Sequence, residues 1–363
     1  MAAALAVIAG CSGSPGVREL SERDLQAVRA DTVRLLPNSL SNRDEWAADI
    51  VVALQALSLR PGRDNICAVL AVAEQESGFR VDPTVPGLPA IARREIEARA
   101  ARFFIPKLVV KAALDLPSST GRSYNERLQQ ATTERALSDI FEDFIGRVPL
   151  GKRLFADWNP VRTGGPMQVS IAFAEQHSAA RPYPYSPSGP VRQEVFTLRG
   201  GLYFGIAHLL DYPAGYPDLL YRFADYNAGH YASRNAAFQA AVNLLSRRSL
   251  ALDGDLLRDG ASIDEPSQTE SAIRRLAQEL KLTPEKIHAD LERGRDASFE
   301  RTQLYVRVFE LADARSQMPR ARAVVPSIQL HSPKITRKLT TDWFAHRVDE
   351  RYQKCLTRAG AGA

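Results

Sequence analysis

The chain has 363 residues, of which 45% are hydrophobic and 25% are charged, and its formal net charge is +5. This length is enough for one large domain or two medium-sized ones with a genuine core, and the composition is ordinary for a globular protein. The mild basicity comes without a long run of lysine or arginine, so it fits an anionic envelope polymer or a membrane surface as easily as nucleic acid. Because nothing else in the sequence supports nucleic-acid binding, we expect no nucleic-acid partner.

The first ten residues, MAAALAVIAG, form an uncharged apolar run that ends in small residues just before Cys11. This pattern resembles the end of a bacterial lipoprotein signal peptide, which implies that residues 1–10 are a leader and that Cys11 is acylated. A secretory leader normally opens with a basic region. Because that region is missing, either the true start lies further upstream or the run is a simple apolar terminus. We favour the lipoprotein interpretation because a polar segment, SGSPG, follows directly.

The lipoprotein resemblance also predicts a location. Residues 11–40 would form a tether, and Ser12 directly after the cysteine implies, by the sorting rule of that family, an outer-membrane protein that faces the periplasm. No later segment approaches the roughly 18 uninterrupted apolar residues of a membrane span. The lipid on Cys11 would therefore provide the membrane anchor, with about 0.8 kcal/mol from each buried CH₂ group.

The rest of the chain is predicted to be mainly α-helical, because alternating strand patterns are scarce. Apolar residues at helical spacing predict helices over 44–57, 66–77, 89–104, part or all of 123–145, 171–179, 198–210, 218–232, 269–280, 283–294, 296–314 and 339–356. Residues 181–190 contain several prolines, so they should be extended or turning.

The predicted helices fall into three regions. We expect a main domain over residues 41–250, with a helical insertion at about 88–158. A polar linker then leads into a C-terminal helical extension over residues 251–363, which would either pack on the main domain or form a small one.

Two cysteines remain beside the one in the leader, Cys67 and Cys355. An oxidising compartment would permit a disulfide between them. Because nothing in the sequence sets their distance, we favour two separate buried thiols.

The stretch AVAEQESGF contains the first candidate for chemistry. At about 100° per residue, Glu76 lies about 20° from Val69 on the apolar face of its helix, whereas Glu74 lies about 140° away. A carboxyl group on an apolar face is desolvated, which favours its protonated form and suits a general acid. The plain alternative is that Glu76 caps the helix end or pairs with Arg80.

Two further loops carry polar residues that could bind a ligand. The sequence TGGPMQV delivers Met167 and Gln168 on a glycine-rich turn, although it could be an ordinary loop before a helix. The sequence DYNAG places Tyr226 and Asn227 before a glycine that would end a helix, although asparagine and glycine also make an ordinary C-terminal cap.

Three short motifs occur in the order found in the lytic transglycosylases, and the chain resembles that family: Glu76-Ser77, Gly165-Pro166-Met167-Gln168 and Tyr226-Asn227-Ala228-Gly229. The resemblance covers about residues 44–240 without the insertion, and it implies a helical, lysozyme-like fold shared with goose-type lysozyme. It implies cleavage of peptidoglycan glycan strands between N-acetylmuramic acid and N-acetylglucosamine, with 1,6-anhydro ends and no cofactor. With Cys11, the chain also resembles a family of envelope lipoproteins of largely uncharacterised function.

The resemblance implies a role for each motif. Glu76 would protonate the glycosidic oxygen and then, as a carboxylate, take the proton from the C6 hydroxyl of the sugar. Tyr226 would hydrogen-bond Glu76 and hold its rotamer, and Ser77 would orient a neighbouring contact. Asn227 and the Met-Gln turn would hold the sugar and its N-acetyl group.

Departures from the family pattern keep two other functions open. The long interval between Glu76 and Gly164 implies that the insertion folds beside the cleft as a lid, an extra wall or a surface for a protein partner. This interval and the altered residues after Met-Gln leave a non-catalytic, peptidoglycan-binding lipoprotein as one alternative. The other is a hydrolase of the goose-lysozyme type, in which Asp225 or another acid would activate water.

Other residue types offer weaker candidates. The six histidines show no HExxH or other ligand spacing, so we expect no metal site. Tyr183 and Tyr185 could stack on sugar rings, but a turn packed by its own aromatic rings is the favoured interpretation.

Overall fold

A computed structural model describes residues 21–147, 153, 155, 158–258, 260–330 and 338–361. The leader and Cys11 lie outside the described residues, so what is predicted for them stays a prediction. Within the described ranges the chain is mainly α-helical, as predicted, and contains two short antiparallel hairpins. No helix in these ranges combines the length and the apolar character needed to cross a membrane.

The elements follow one another in three groups. The first contains α1 (Glu22–Leu35), α2 (Arg43–Ala56), α3 (Arg63–Ser77), α4 (Leu88–Arg102), α5 (Lys107–Leu114), α6 (Tyr124–Gln130) and α7 (Glu134–Arg147). The second contains β1 (Thr163–Gly164), β2 (Val169–Ser170), α8 (Ile171–Ala180), α9 (Val191–Val195), α10 (Leu198–Leu210), α11 (Leu219–Ala228) and α12 (Ala232–Ser246). The third contains α13 (Gln268–Arg274), α14 (Ala277–Leu280), α15 (Pro284–Leu291), two 3₁₀ turns (Glu292–Arg295 and Ala297–Arg301), α16 (Gln303–Ser316), β3 (Gln329–Leu330), β4 (Leu339–Thr340) and α17 (Thr341–Ala361).

Helix α1 corrects the predicted tether. The sequence predicts a tether over residues 11–40, and this is wrong from Ser21 onward. Ser21 caps the helix, because its side chain accepts a hydrogen bond from the backbone of Asp24 while the Asp24 carboxylate accepts one from the backbone of Ser21. Leu25 and Leu35 then bury the apolar stripe of the helix, which packs on α2. The folded part of the chain therefore includes α1.

The larger hydrophobic core surrounds α3. Residues from Ile66 to Ala73 are all buried, because α10 and α17 pack against this helix. From Glu74 to Glu76 the helix reaches partly exposed positions. A helix enclosed in this way brings its polar residues out of the core only near its ends.

The last helix, α17, returns to the first core. Its residues Phe344 and Val348 are buried in the same cluster as α3. Cys355 of α17 is bonded to Cys67 of α3, with 5.5 Å between their Cα atoms, so the prediction of two separate thiols is wrong. The two cysteines are 288 positions apart, and only the packing of α17 on α3 brings them together.

The predicted C-terminal extension is divided between two cores. Helices α13 to α16 form a second cluster around Phe238 and Phe299, together with one face of α12, whereas α17 belongs to the first cluster. Arg234 joins α12 to the predicted C-terminal extension, since its guanidinium donates to the carbonyl of Gly294 at 2.6 Å. The guanidinium also lies 4.2 Å from the ring centroid of Tyr231. Helix α12, which lies within the predicted main domain, therefore packs with the predicted C-terminal extension.

The helical insertion packs on the first core through Leu88 and Ala92. The stretch 123–145 breaks into α6 and α7, because the backbone between these helices pairs with another segment. Val85 N–H donates to the carbonyl of Thr132 at 2.9 Å, and Thr84 and Thr133 form an isolated bridge. This pairing joins the insertion to the segment that follows α3.

Candidate active site

Glu76 lies in the last turn of α3, which ends at Ser77. The helix stops there because Gly78 adopts the left-handed conformation, with φ 59°. Glu76 is partly buried. Glu74 faces the last helix instead, where its carboxylate lies 3.5 Å from the guanidinium of Arg351. The two carboxylates therefore lie in different surroundings, as the helical geometry predicts.

Ser77 ties the end of α3 to the second motif. Its hydroxyl lies 2.7 Å from the carbonyl of Pro166 and 3.1 Å from that of Ala73 in its own helix. It also accepts a hydrogen bond from the backbone of Arg80 at 3.1 Å. With 8% exposure, Ser77 is directed at the protein rather than at a ligand. Its role is to position the loop of the second motif against the helix that carries Glu76.

The second motif lies at the tip of the hairpin formed by β1 and β2. Gly165 has φ +74°, and a Cβ there would lie 2.2 Å from the carbonyl oxygen of Val195, so glycine is required. Met167 is fully buried, and a Cβ at Gly205 of α10 would lie 2.6 Å from its sulfur. The Met167 side chain therefore locks the hairpin onto α10, and it does not have the exposure that a substrate-binding side chain needs.

We expect Gly165→Ala to destabilise the protein by about 1–3 kcal/mol more than Gly87→Ala, which is the usual cost of an overpacked site beyond any backbone strain. Gly87 is the matched control, since it has a similar φ of +71° but a Cβ at that position would meet nothing within 4 Å. Denaturant unfolding of both variants measures the difference. Equal stability of the two would show that the hairpin does not need its close approach to Val195.

Gln168 is the partly exposed polar side chain of the same loop. Its backbone is left-handed, with φ 51°. Its amide nitrogen donates to the carbonyl of Gly165 at 3.1 Å, and its amide oxygen lies 3.4 Å from the hydroxyl of Thr163. These contacts hold the amide in one orientation at the surface of the loop, as a ligand-binding amide requires.

Tyr226 connects the third motif to the first two. It is buried, and its hydroxyl donates to the carbonyl of Met167 at 2.7 Å. Burial raises the pKa of Tyr226, and the nearby charge of Glu76 raises the same pKa further. The single phenolic proton is thus held by Met167, so Tyr226 can contact Glu76 only as an acceptor. The hydrogen bond between Tyr226 and Glu76 that the resemblance implies stays a prediction, with Tyr226 as its acceptor.

Asn227 is exposed, next to the buried tyrosine. Its amide oxygen accepts a hydrogen bond from the hydroxyl of Thr341, the first residue of α17, at 3.0 Å. This contact uses the amide oxygen and orients the amide. The side chain as a whole, which also carries the amide nitrogen, is exposed. Gly229 ends α11, so the sequence DYNAG does form the C-terminal cap of a helix. The same motif also carries the exposed amide of Asn227.

Asp225 has a structural role. Its carboxylate is fully buried and accepts hydrogen bonds from the hydroxyls of Tyr212 and Tyr216 at 3.1 and 2.7 Å. The backbones of Tyr231 and Ser233 donate to it at 3.0 and 2.7 Å. Burial raises the pKa of Asp225, and these hydrogen bonds oppose the rise. A carboxylate enclosed by four donors fixes the turn after α11, which argues against the hydrolase in which it would activate water.

Four neighbouring rings lie behind the third motif, and we call them the aromatic column: His208, His230 and Tyr212 are stacked, and Tyr226 is tilted against His208. Neighbouring ring centroids are 5.0, 4.5 and 4.0 Å apart. His208 Nε2 lies 3.3 Å from the carbonyl of Tyr226 and donates to it, whereas its Nδ1 is buried with no hydrogen-bond partner in the described part of the chain. Burial, together with His230, lowers the pKa of His208 to about 3. The imidazole is therefore neutral in the folded protein.

His208 is expected to make the protein sensitive to acid. Its pKa is about 3 when folded and about 6.5 in an unfolded chain, so the unfolded state binds more protons between these values. The free energy of unfolding should therefore fall on acidification from about pH 6.5, by up to about 1.4 kcal/mol per pH unit from this group. His208→Phe keeps a ring in the column and should flatten that slope, measured by urea unfolding at several pH values.

His346→Phe is the control for this prediction, because the His346 side chain is 55% exposed. It should leave the slope unchanged. An equal slope in the wild type and in His208→Phe would show that His208 does not titrate as described.

Several residues around the site were not identified from the sequence. Thr341 lies outside the three motifs, and its contact with Asn227 depends on the return of α17. Gly201 and Gly205 are four positions apart on α10, and both allow close approach of the second motif. That spacing indicates a helix face that another segment can approach closely, since residues four apart share one helix face.

Tyr183 and Tyr185 serve the packing of their own loop, as favoured from the sequence. Their hydroxyls donate to the carboxylates of Glu194 and Asp49, each at 2.9 Å. The ring of Tyr183 also stacks on Phe204 at 5.3 Å. The hydroxyls of both tyrosines and the ring of Tyr183 are therefore engaged by contacts within the protein.

The fold and this site define a mainly helical protein in which residues from three distant motifs meet at the C-terminal end of a buried helix. The chain belongs to a family described as proteins of unknown function (DUF1615), whose model matches residues 39–358. It is similar to the uncharacterised protein YaiW of Escherichia coli (strain K12), with 51% identity over 354 residues, 97% of this chain and 96% of the relative. No solved structure matches the chain significantly.

Proposed function

We propose that this protein is a peptidoglycan lytic transglycosylase with a lysozyme-like fold and that Glu76 is its acid and base. The convergence of the three motifs carries the proposal. Ser77 lies 2.7 Å from the carbonyl of Pro166. Tyr226 lies 2.7 Å from the carbonyl of Met167, and the charge of Glu76 acts on Tyr226. The reaction needs one partly sheltered carboxyl group and polar side chains that can reach the sugar, and the proposal is supported by the partly buried Glu76, the partly exposed Gln168 and the exposed Asn227.

In the proposed reaction, Glu76 gives its proton to the glycosidic oxygen between N-acetylmuramic acid and N-acetylglucosamine. The C1–O bond breaks, the second sugar leaves as an alcohol, and the N-acetyl group of the substrate supports the electron-poor C1. The C6 hydroxyl oxygen then bonds to C1, and its proton returns to the Glu76 carboxylate. No water is consumed, and no second carboxylate is needed. The enclosure of Asp225 by its four donors fits this scheme.

Gln168 and Asn227 would hold the sugar. Both amides are oriented by contacts within the protein, at 3.1 Å from the carbonyl of Gly165 and 3.0 Å from the hydroxyl of Thr341. An amide pair held in this way can hydrogen-bond an N-acetyl group with little loss of side-chain entropy on binding. Ser77 and Met167 would act only by positioning the loop.

A lipid on Cys11 would anchor the enzyme to the outer membrane, facing the periplasm. The bond between Cys67 and Cys355 supports a location outside the reducing cytosol. Mass analysis of the N-terminal peptide tests the anchor, because acylated Cys11 should carry the mass of its fatty acids. An unmodified Cys11 in protein purified from membranes would contradict it.

A peptidoglycan-binding protein without turnover is the second candidate. It is supported by the oriented amides of Gln168 and Asn227, because these would bind a glycan whether or not Glu76 transfers a proton. Such a protein would keep the amides of Gln168 and Asn227 for binding and release no product.

Incubation with purified sacculi separates these functions. Soluble fragments with 1,6-anhydro ends, identified by mass spectrometry, are the expected result. Fragments with reducing ends would assign a hydrolase, and protein that sediments with sacculi without releasing fragments would assign the binding function. Absence of both binding and products would contradict the proposal and its alternative together.

A further inference from the structure

The helical insertion has an unusual concentration of exposed apolar side chains. Six large hydrophobic residues between positions 103 and 116 are exposed, most strongly Phe104 at 94% and Leu108 at 77%. Elsewhere in the described ranges only Val306 and Met318 are exposed in this way. Monomeric proteins rarely expose a contiguous patch of this kind without using it. We call residues 102–116 the apolar tip.

A cavity of about 300 Å³ lies behind the apolar tip, between helices α4, α5, α6 and α7. Its lining is aliphatic and aromatic, including Phe144 and Trp158, apart from two charged residues of α4. Ile105 and Val109 both line the cavity and are 39% and 53% exposed, so the cavity opens to solvent at the tip. The volume is at the low end of the roughly 300–1,000 Å³ of small-molecule sites. Such a lining suits a hydrocarbon chain.

Exposed cations accompany the apolar residues. Arg102, Lys107 and Lys111 are all exposed on the tip. The acidic groups near them are Glu97, which lies 3.6 Å from the Lys107 ammonium, and Asp115. Within the tip itself, cations therefore exceed acids. Exposed apolar side chains among cations are typical of surfaces that insert into the border of a bilayer with anionic headgroups.

We propose that the apolar tip docks on an anionic phospholipid surface and that the cavity behind it takes one acyl chain of a bound lipid. Phe104 and Leu108 enter the edge of the hydrocarbon layer, and the three cations of the tip lie among the headgroup phosphates. The acyl chain passes between Ile105 and Val109 into the cavity. This inference is independent of the sugar chemistry proposed above and of acylation at Cys11.

Vesicle binding tests the docking surface. The full chain would carry Cys11→Ser, so that no lipid at that residue adds to binding, and vesicles of phosphatidylcholine would be compared with and without phosphatidylglycerol. We expect binding to the phosphatidylglycerol vesicles that is at least about tenfold weaker with Phe104→Ser and Leu108→Ser together, a change of about 1.4 kcal/mol. Lys107→Ser with Lys111→Ser should weaken it too. Met318→Ser is the matched control, since Met318 is 62% exposed away from the tip.

Trp158 gives a separate readout of the acyl chain, because it lines the cavity. Phosphatidylglycerol with brominated acyl chains should quench its fluorescence, and Trp158→Phe should remove the quenched component. Ala113→Phe places a ring in the cavity and should abolish the quenching while vesicle binding persists. Both sets of variants change the tip or its cavity and leave the motif residues untouched.

Three results would overturn the proposal. The first is equal vesicle binding by the Phe104→Ser, Leu108→Ser variant and by Met318→Ser. The second is fluorescence quenching that persists in Ala113→Phe. The third is a dimer in solution that dissociates when the tip is changed and does not bind vesicles, which would assign the tip to a second copy of this chain.

Discussion

Replacement of Glu76 by glutamine is expected to abolish the release of anhydro-muropeptides from sacculi. The amide preserves the shape of the side chain but has no acidic proton for the glycosidic oxygen. General acid–base catalysis contributes roughly 10²–10⁴-fold. Because one carboxyl group would serve both proton transfers, we expect a loss near the upper end of that range. The measurement is the rate at which 1,6-anhydro ends appear, determined by mass spectrometry.

Glu74→Gln is the matched control for this experiment. Glu74 lies two positions earlier on the same helix, and its ion pair with Arg351 at 3.5 Å is partly exposed. Exposed pairs contribute at most about 1 kcal/mol to stability, so this variant should keep both its fold and its rate. A Glu76→Gln protein as active as Glu74→Gln would show that Glu76 is not the acid.

Removal of the bond between Cys67 and Cys355 should cause the largest loss of stability. The two residues are 288 positions apart, and they join α3 to α17. Disulfides typically contribute 2–4 kcal/mol, with more for long loops in the chain-entropy model. We therefore expect Cys67→Ala with Cys355→Ala to lower the free energy of unfolding by about 4 kcal/mol. Denaturant unfolding under non-reducing conditions measures this loss.

Reductant supplies the control for the disulfide prediction. It should destabilise the wild type and leave the double alanine variant unchanged. The contact between Asn227 and Thr341 lies at the start of α17, so loosening of this helix should also lower binding to sacculi. A wild-type protein whose unfolding is insensitive to reductant would contradict the prediction.

The regular parts of the fold were readable from the sequence where apolar spacing and capping agree. Helix α10 has the predicted limits of 198–210, with the Thr197 side chain accepting a hydrogen bond from Gly200 at its start. Helix α15 begins at Pro284, one position inside the predicted start at 283, because Thr283 caps the helix. Helix α1 was missed because its buried residues are few and lie between charged ones. Its stability depends on packing against α2, which local sequence does not reveal.

The three motifs of the candidate site were predictable from the sequence, but their contacts were not. The motif order indicated which segments would meet, because each motif marks a helix end or a tight turn. The partners of Ser77 and Tyr226 are the backbone carbonyls of Pro166 and Met167. Carbonyl groups are common to all residues, so no side-chain pattern could identify these acceptors. The same limit applies to the pairing of Cys67 with Cys355, which depends on the path of the whole chain.

A crystal structure of Glu76→Gln with a peptidoglycan tetrasaccharide tests the account most directly. We expect a glycosidic oxygen within about 2.6–3.2 Å of the residue 76 side chain, the distance that proton transfer requires. The neighbouring N-acetyl group should contact the amides of Gln168 and Asn227. A glycan bound away from residue 76, with those amides still in their internal contacts, would contradict the proposed chemistry.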